Sequence, residues 1–326
     1  MNKNILIITG GTGGHVIPAI NFLNHIENNF NKVFLLTDYR GSKYIDTIHS
    51  KKIYKIYSSH LSGNLFFKII GVFKLFIGLI QSISIFIRLR PKTIISFGSY
   101  ASSAPLICFL FFRIFFKTKL YIHEQNSVVG KVNKTFIKFS NKIFMNFEND
   151  YLNIQKYRKK IFVVGLPQKI ETNFLKYKLK KDKSIFNFLV FAGSQGSLDI
   201  LHIFVKIVED INKIANLKKI IFTVQAPSEK HNEIKSLLTK HGYNYKINSF
   251  FDNFNEILLN TDIALCRSGA GSINDLINYK IPAIICPLPT AKDNHQYENA
   301  KILSNIKCAI IVNKNKINNK EIMLFI

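Results

Sequence analysis

The chain has 326 residues, 47% of them hydrophobic, and carries 45 Lys and Arg against 20 Asp and Glu, a net charge of +25. That length and apolar content suit two domains of about 150 residues with separate cores and exclude a disordered chain. The basic excess suits an anionic membrane face, nucleic acid or a phosphorylated substrate, but abundant Lys, Asn and Ile also reflect AT-rich coding, so only clustered charge is informative.

The first segment, "NILIITGGTGGHVIPAI", runs from an apolar strand through Gly10, Gly11, Gly13 and Gly14 into a helix. Glycines there let the backbone turn through positive φ and let a ligand approach the main chain. A dinucleotide site would need G-x-G-x-x-G with a ribose-binding acid at about Asp38, and the pattern fails because Val16 falls where the third glycine belongs. His15 sits at the helix entrance, where the macrodipole disfavours a cation; the ring is expected to stay neutral and able to accept a proton. A capping or packing histidine is the alternative.

Further apolar, β-branched runs follow in "KVFLLTD", "KTIISFG", "KLYIHE" and "KIFMNF", alternating with helical stretches, which predicts βαβ units and a parallel sheet. Between them, Leu65 to Arg90 and Ala104 to Lys117 are rich in Phe and Ile and interrupted by Lys68, Lys74 and Arg113. The uncharged stretch from Leu75 to Ile87 is shorter than the roughly 18 residues of a span. Helices buried on one side, and touching a bilayer on the other, fit these segments; plain core helices are the competing reading. The polar, basic stretch from Gln168 to Ser184 marks a domain junction.

The second half repeats the alternation with "FNFLVFAG", "KIIFTVQA", "YKINSF", "DIALCRSG", "AIICPL" and "AIIV". "AGSQGS" and "CRSGAGS" each join a strand to a helix start, where unpaired N–H groups favour an anion such as a nucleotide diphosphate; no Gly-Lys-Ser/Thr makes either a P-loop. Asp275 is a candidate acceptor for ribose hydroxyls or a helix-start charge. The cluster Asp293, Asn294, His295, Gln296 and Asn299 suits sugar hydroxyls. His123 with Glu124 and Asp293 with His295 are isolated pairs without a third and fourth ligand at metal spacing, paired carboxylates for glycoside hydrolysis are missing, and Cys108, Cys266, Cys286 and Cys308 are widely spaced, as in a reducing cytoplasm. The "MNKNILIITGG" start carries no signal-peptide pattern. Five glycine or polar loops at strand carboxyl ends, "GGTGGH", "FGSYAS", "HEQN", "AGSQGS" and "CRSGAGS", are expected to converge on one interdomain cleft.

In order and spacing, "GGTGGHVIPAI", "HEQN", "GSQGS", "CRSGAGS" and "DNHQYENA" resemble the MurG family of peptidoglycan N-acetylglucosaminyltransferases, over nearly the whole chain. The resemblance implies an α/β fold of two Rossmann-like doubly wound domains of GT-B type with a ligand cleft between them. Residues 1–166 would face the acceptor and membrane, and residues 167–326 would bind the donor. It implies inverting transfer of N-acetylglucosamine from UDP-N-acetylglucosamine to the C4 hydroxyl of lipid I, giving lipid II, on the cytoplasmic face of the inner membrane. An anionic membrane surface is implied as a partner, and nucleic acid, metal and cofactor are not.

By motif, His15 would be the general base, and Thr12, Gly13 and Gly14 would border the donor sugar and diphosphate. Asn126 would face the transferred sugar, Ser194 and Gln195 the diphosphate, and Phe251 the uracil through its backbone. Ala270, Gly271, Ser272, Ile273, Asn274 and Asp275 would hold the ribose and phosphate, and Gln296 the N-acetylglucosamine. Three departures stand out: Lys169 replaces an Arg in a "GLPQK" that the family writes Gly-Asn-Pro-Val-Arg, Asp275 replaces Glu, and the sequence ends at "EIMLFI" before the family's closing helices. A lysine loses the bidentate fork, and a shortened second domain is expected. The alternatives are another UDP-sugar enzyme of this fold, such as a lipid glucosyltransferase or epimerase, and a non-catalytic binder.

Overall fold

The computed structural model describes residues 4–30, 32–45, 52–59, 64–148, 152–168, 184–192, 198–211, 219–313, 322 and 325. The chain divides into two compact units, Met1–Lys169 and Ile170–Ile326.

The first unit is a seven-stranded parallel sheet of β1 (Ile5–Ile8), β2 (Val33–Asp38), β3 (Ile53–Ile56), β4 (Thr93–Ser96), β5 (Lys119–Glu124), β6 (Lys142–Met145) and β7 (Ile161–Val163), in the order β3-β2-β1-β4-β5-β6-β7. Strand β1 is buried on both faces because its side chains alternate. Leu6 and Ile8 join the core beneath α2 (Leu65–Leu89) and α3 (Ser103–Phe116), while Ile5 and Ile7 meet Ala19 and Leu23 of α1 (Gly13–Ile26). The short helix α4 (Lys131–Phe136) follows β5.

Helix α2 begins at Asn64, whose side chain accepts from Phe67 N at 3.1 Å, and stops where Arg90 turns left-handed at φ 44°. Its inner face of Gly71, Gly78, Ser82, Ile85, Phe86 and Leu89 is buried, and its outer face exposes Phe66, Phe67, Phe73, Phe76 and Ile80. At Gly78 the Tyr57 carbonyl lies where a Cβ would stand, so only glycine allows this approach. Among the described residues α2 is the helix long and apolar enough to cross a membrane, with 22% of its most apolar window buried.

The second unit is also parallel: β8 (Ile185–Phe191), β9 (Lys219–Gln225), β10 (Asn244–Asn248), β11 (Ile263–Cys266), β12 (Ala283–Ile285) and β13 (Ala309–Ile311), ordered β10-β9-β8-β11-β12-β13. Helices α5 (Leu198–Ile211), α6 (His231–Lys240), α7 (Phe254–Asn260), α8 (Ala270–Asn278) and α9 (His295–Asn305) connect the strands. Phe188, Phe204 and Phe222 centre the core, with ring centroids 5.4 to 6.5 Å apart.

Every strand expected from the sequence is present. Two short strands, β3 and β7, were not singled out because each is three or four residues long and partly exposed. Both sheets are doubly wound, and strand order reverses between β1 and β4 and between β8 and β11. The carboxyl ends at such reversals form crevices where ligands bind in open α/β sheets.

Candidate functional site

In the first unit the reversal brings the glycine turn beside the loop after β4. The four glycines answer to different causes. A Cβ on Gly10 would collide with Ala101, and Gly11 adopts φ +81° with Ser99 Oγ 2.9 Å from where its Cβ would stand. Gly13 packs 3.2 Å from the Tyr44 ring by the same measure, whereas at Gly14 only Thr12 Oγ1, 3.8 Å away, lies within reach. Packing therefore accounts for three of them and leaves Gly14 facing open space. Thr12 is exposed, and its side chain makes no cap hydrogen bond to α1 although it stands at the N-cap position.

Asp38 does not face a ribose position. Its carboxylate accepts from Gly11 N at 2.8 Å and Gly41 N at 2.9 Å, and pairs with Arg40 Nε at 3.0 Å. This buried acid holds the glycine turn in shape; the same placement at the end of β2 that suggested a cofactor contact serves the protein's own backbone.

His15 lies in the first turn of α1, half-buried. Its Nδ1 is 2.9 Å from the Phe97 carbonyl at the end of β4 and 2.9 Å from Gln125 Oε1 after β5. A carbonyl only accepts, so Nδ1 carries the proton and Nε2 keeps the lone pair. An imidazole arranged this way can take a proton from a hydroxyl at Nε2. The loop that supplies Phe97 continues through Gly98 at φ +76° and Ser99 at φ +78°, a backbone setting that a serine rarely adopts and that is often found at functional sites.

Asn126 follows in the same "HEQN" turn. Its backbone N and side-chain Nδ2 donate to Glu124 Oε1 at 3.1 and 3.4 Å, while Glu124 Oε2 accepts from Gly130 N and Asn133 Nδ2. Glu124 is buried and shapes this loop. Behind it, His123 is stacked on Phe97 with centroids 5.0 Å apart and donates from Nε2 to the Gly165 carbonyl at 2.9 Å. Burial pushes the His123 imidazole down to about 4, so it is neutral near pH 7. It borders a cavity of 290 Å³ lined otherwise by apolar groups such as Phe22, Phe97, Phe144 and Leu166.

In the second unit the loop after β11 reaches α8 through Gly269, and the first turn of α8 contains no acidic residue. Ala270, Ile273 and Asn274 are buried, whereas Gly271, Ser272 and Asp275 are partly exposed on the same short helix. No atom lies within 4 Å of a Cβ position on Gly271, leaving backbone accessible at a helix N-terminus. Asp275 is close enough to the end of β11 for its charge to add to burial in pushing the Cys266 thiol far up.

Arg267, buried at the head of this loop, donates to the Cys286 and Pro287 carbonyls and pairs with Asp199 Oδ2 at 2.8 Å. It ties the ends of β11 and β12 to the start of α5. Arg267 did not stand out in the sequence, since a charged residue beside glycines reads as a ligand contact or a solvated one, and Glu124 drew notice only as half of a His–Glu pair too small for a metal site.

The polar cluster at the start of α9 is divided by the structure. Asn299 is fully buried and donates to the Ser268 carbonyl at 3.0 Å, so its amide joins α9 to the loop after β11 and is not exposed to a sugar. Gln296 Oε1 accepts from Leu288 N at 2.9 Å, and any ligand contact falls to its Nε2. Phe251 is buried after β10, which leaves its backbone as the group to offer a ligand. Lys169, Ser194 and Gln195 lie outside the described residues.

Comparison with known proteins adds sequence to this geometry. Residues 5–145 match the glycosyltransferase family 28 N-terminal domain, and residues 187–323 match the corresponding C-terminal domain. A Rickettsia felis protein is 33% identical over 331 aligned residues, covering 98% of this chain and 89% of its own, and one from Rickettsia canadensis is 32% identical over 97% and 87%. Both are named UDP-N-acetylglucosamine--N-acetylmuramyl-(pentapeptide) pyrophosphoryl-undecaprenol N-acetylglucosamine transferase. The crystal structure of Acinetobacter baumannii MurG superposes with a TM-score of 0.71 over 99% of this chain and 89% of that one, at 19% identity.

Proposed function

The chain belongs to the MurG family within glycosyltransferase family 28, with the GT-B fold, and from that membership we propose that it transfers N-acetylglucosamine from UDP-N-acetylglucosamine to the C4 hydroxyl of lipid-linked N-acetylmuramoyl-pentapeptide. The observation that most supports a catalytic chain is the His15 imidazole, held with Nε2 as its acceptor at the strand-order reversal of the first unit. In the proposed step Nε2 takes the proton of the acceptor hydroxyl as its oxygen attacks C1 of the donor sugar. The C1–O bond to the diphosphate breaks on the opposite face, UDP leaves with the electron pair, and the anomeric configuration inverts.

Thr12, Gly13 and Gly14 offer backbone and a hydroxyl to the sugar and diphosphate side. Asn126 orients the transferred sugar, and Gln296 contacts its hydroxyls. In the second unit Ala270 to Asp275 receive the ribose and phosphate, Phe251 presents its backbone to uracil, and Ser194, Gln195 and the junction's Lys169 complete the diphosphate contacts. Asp275 is one methylene shorter than the family's Glu and reaches the ribose hydroxyls from the exposed side of α8. The UDP-sugar carries its own activated bond, so the step needs no redox or group-carrying cofactor, and in this reading the accessible backbone at the start of α8 meets the charge of the departing diphosphate in place of a metal.

The acceptor is a membrane lipid, and α2 and α3 supply a surface suited to it. Their outer faces carry exposed Phe and Ile with Lys68, Lys74, Arg88, Arg90 and Lys117 alongside, a composition for shallow insertion under anionic headgroups. We therefore assign the first unit, Met1–Lys169, to acceptor and membrane, the second, Ile170–Ile326, to donor, and the protein to the cytoplasmic face of the inner membrane as a peripheral enzyme.

Incubation with radiolabelled UDP-N-acetylglucosamine and a lipid I analogue tests the reading. Labelled lipid product supports it. A released epimer indicates an epimerase on the same fold, and intact nucleotide binding without product indicates a non-catalytic binder.

A further inference from the structure

The hydrogen bonds behind His15 run in one direction. The Gly165 carbonyl can only accept, so His123 Nε2 carries a proton and His123 Nδ1 a lone pair. Gln125 then places its amide nitrogen toward that lone pair at 3.4 Å and toward the His123 carbonyl at 3.2 Å. With its nitrogen committed there, the Gln125 amide must turn Oε1 toward His15 Nδ1, 2.9 Å away. The reversed amide would set its NH2 group against the Nδ1–H of His15 and its oxygen against two acceptors at His123. Gln125 is itself fixed, since its backbone carbonyl accepts from Asn146 Nδ2 at 2.8 Å and its side chain is buried.

We infer that Gln125 and His123 are positioning residues, forming with the Gly165 carbonyl a one-way relay that holds the His15 ring in place as the Nδ1–H tautomer and keeps Nε2 open toward the acceptor hydroxyl. The Phe97 carbonyl supplies a second acceptor for Nδ1–H, but it is a single bond about which the imidazole can swing. Two acceptors from different strands define the ring plane as well as the tautomer. Burial contributes by keeping His123 neutral, because a proton on its Nδ1 would demand an acceptor from Gln125 and force the amide to turn. Such support by groups that never touch substrate is common behind catalytic imidazoles.

The inference rests on the general-base reading of His15 for its catalytic consequence, though not for the tautomer itself. The test uses the full chain labelled with 15N-histidine, the His15 signals being identified by their loss in His15→Ala. Long-range 1H–15N spectra of the wild type are expected to show one neutral tautomer, protonated at Nδ1. Gln125→Met should keep the Nδ1–H tautomer that the Phe97 carbonyl still favours but free the ring to swing, giving a kcat lower by about tenfold or more with KM for UDP-N-acetylglucosamine within about twofold. Gln125→Glu keeps an oxygen for Nδ1–H but sets its second oxygen against the His123 Nδ1 lone pair and carbonyl, so it should not recover the wild-type kcat. A tautomer mixture in the wild type, an unchanged kcat in Gln125→Met, or full recovery of kcat in Gln125→Glu would overturn the relay, and the wild-type spectrum decides even if a variant fails to fold. Should His15→Ala retain full turnover while the wild-type spectrum still shows the single Nδ1–H tautomer, the general-base reading fails and the relay stands as structure alone.

Discussion

Replacing His15 with alanine removes Nε2 but leaves the turn that Gly11, Asp38 and Gly41 hold together. Turnover is expected to fall by on the order of a hundredfold or more while UDP affinity stays within a few-fold, because base catalysis is lost and donor contacts are not. Steady-state kinetics beside calorimetric UDP binding separate the two; equal turnover removes His15 from the chemistry. His123 makes a second prediction through its titration. Its imidazole stays neutral in the fold down to about pH 4, whereas in the unfolded chain it protonates at its ordinary value of 6.5. The stability it contributes is thus fully present above pH 6.5 and is lost as pH falls through about 4, a total of about 3 kcal/mol. Urea unfolding of the wild type and His123→Leu at pH 7 and pH 4 should show a steeper loss in the wild type. Parallel losses would mean that His123 is not held neutral by burial.

At the scale of elements, α2 has a sequence that passes for a membrane span and a fold that buries one side of it. Gly78 and Ser82 let it lie against the chain at Tyr57 and the sheet, while Phe66, Phe67, Phe73 and Phe76 face outward. Peripheral, salt-sensitive binding to vesicles with anionic lipid is expected, since each nearby Lys or Arg contributes about 1 kcal/mol that salt screens. Sedimentation at low and high salt measures this. No binding at low salt would make α2 and α3 core helices only, and binding that survives salt and carbonate would make α2 a span. The two helices were legible in the sequence because their apolar runs are long and bounded by basic residues. The identity of their buried faces was not, because Phe and Ile occur all round, and what selects the inner face is the small residues. Arg113 is exposed, as a membrane-side charge would be, and it also lies over the Phe109 and Phe139 rings, 5.6 and 5.5 Å from their centroids, a contact that spacing in the sequence does not show.

For the whole molecule, two doubly wound units were legible from alternating apolar strands, and the site loops from glycines at strand ends, since both signals are local in sequence. What joins the loops was not. Asp38, Glu124, Arg267 and Asn299 hold backbone from distant segments, and nothing in their immediate neighbours distinguishes such a role from contact with a ligand. The reading of the chain as an inverting transferase leads to a particular chemical product. Purified protein supplied with UDP-N-acetylglucosamine and a lipid I analogue should release one UDP for each sugar transferred, and NMR of the product should show a β-linkage to the C4 oxygen of the muramoyl residue. UDP release without a lipid product, or an α-linkage at that carbon, would contradict inverting transfer by this chain.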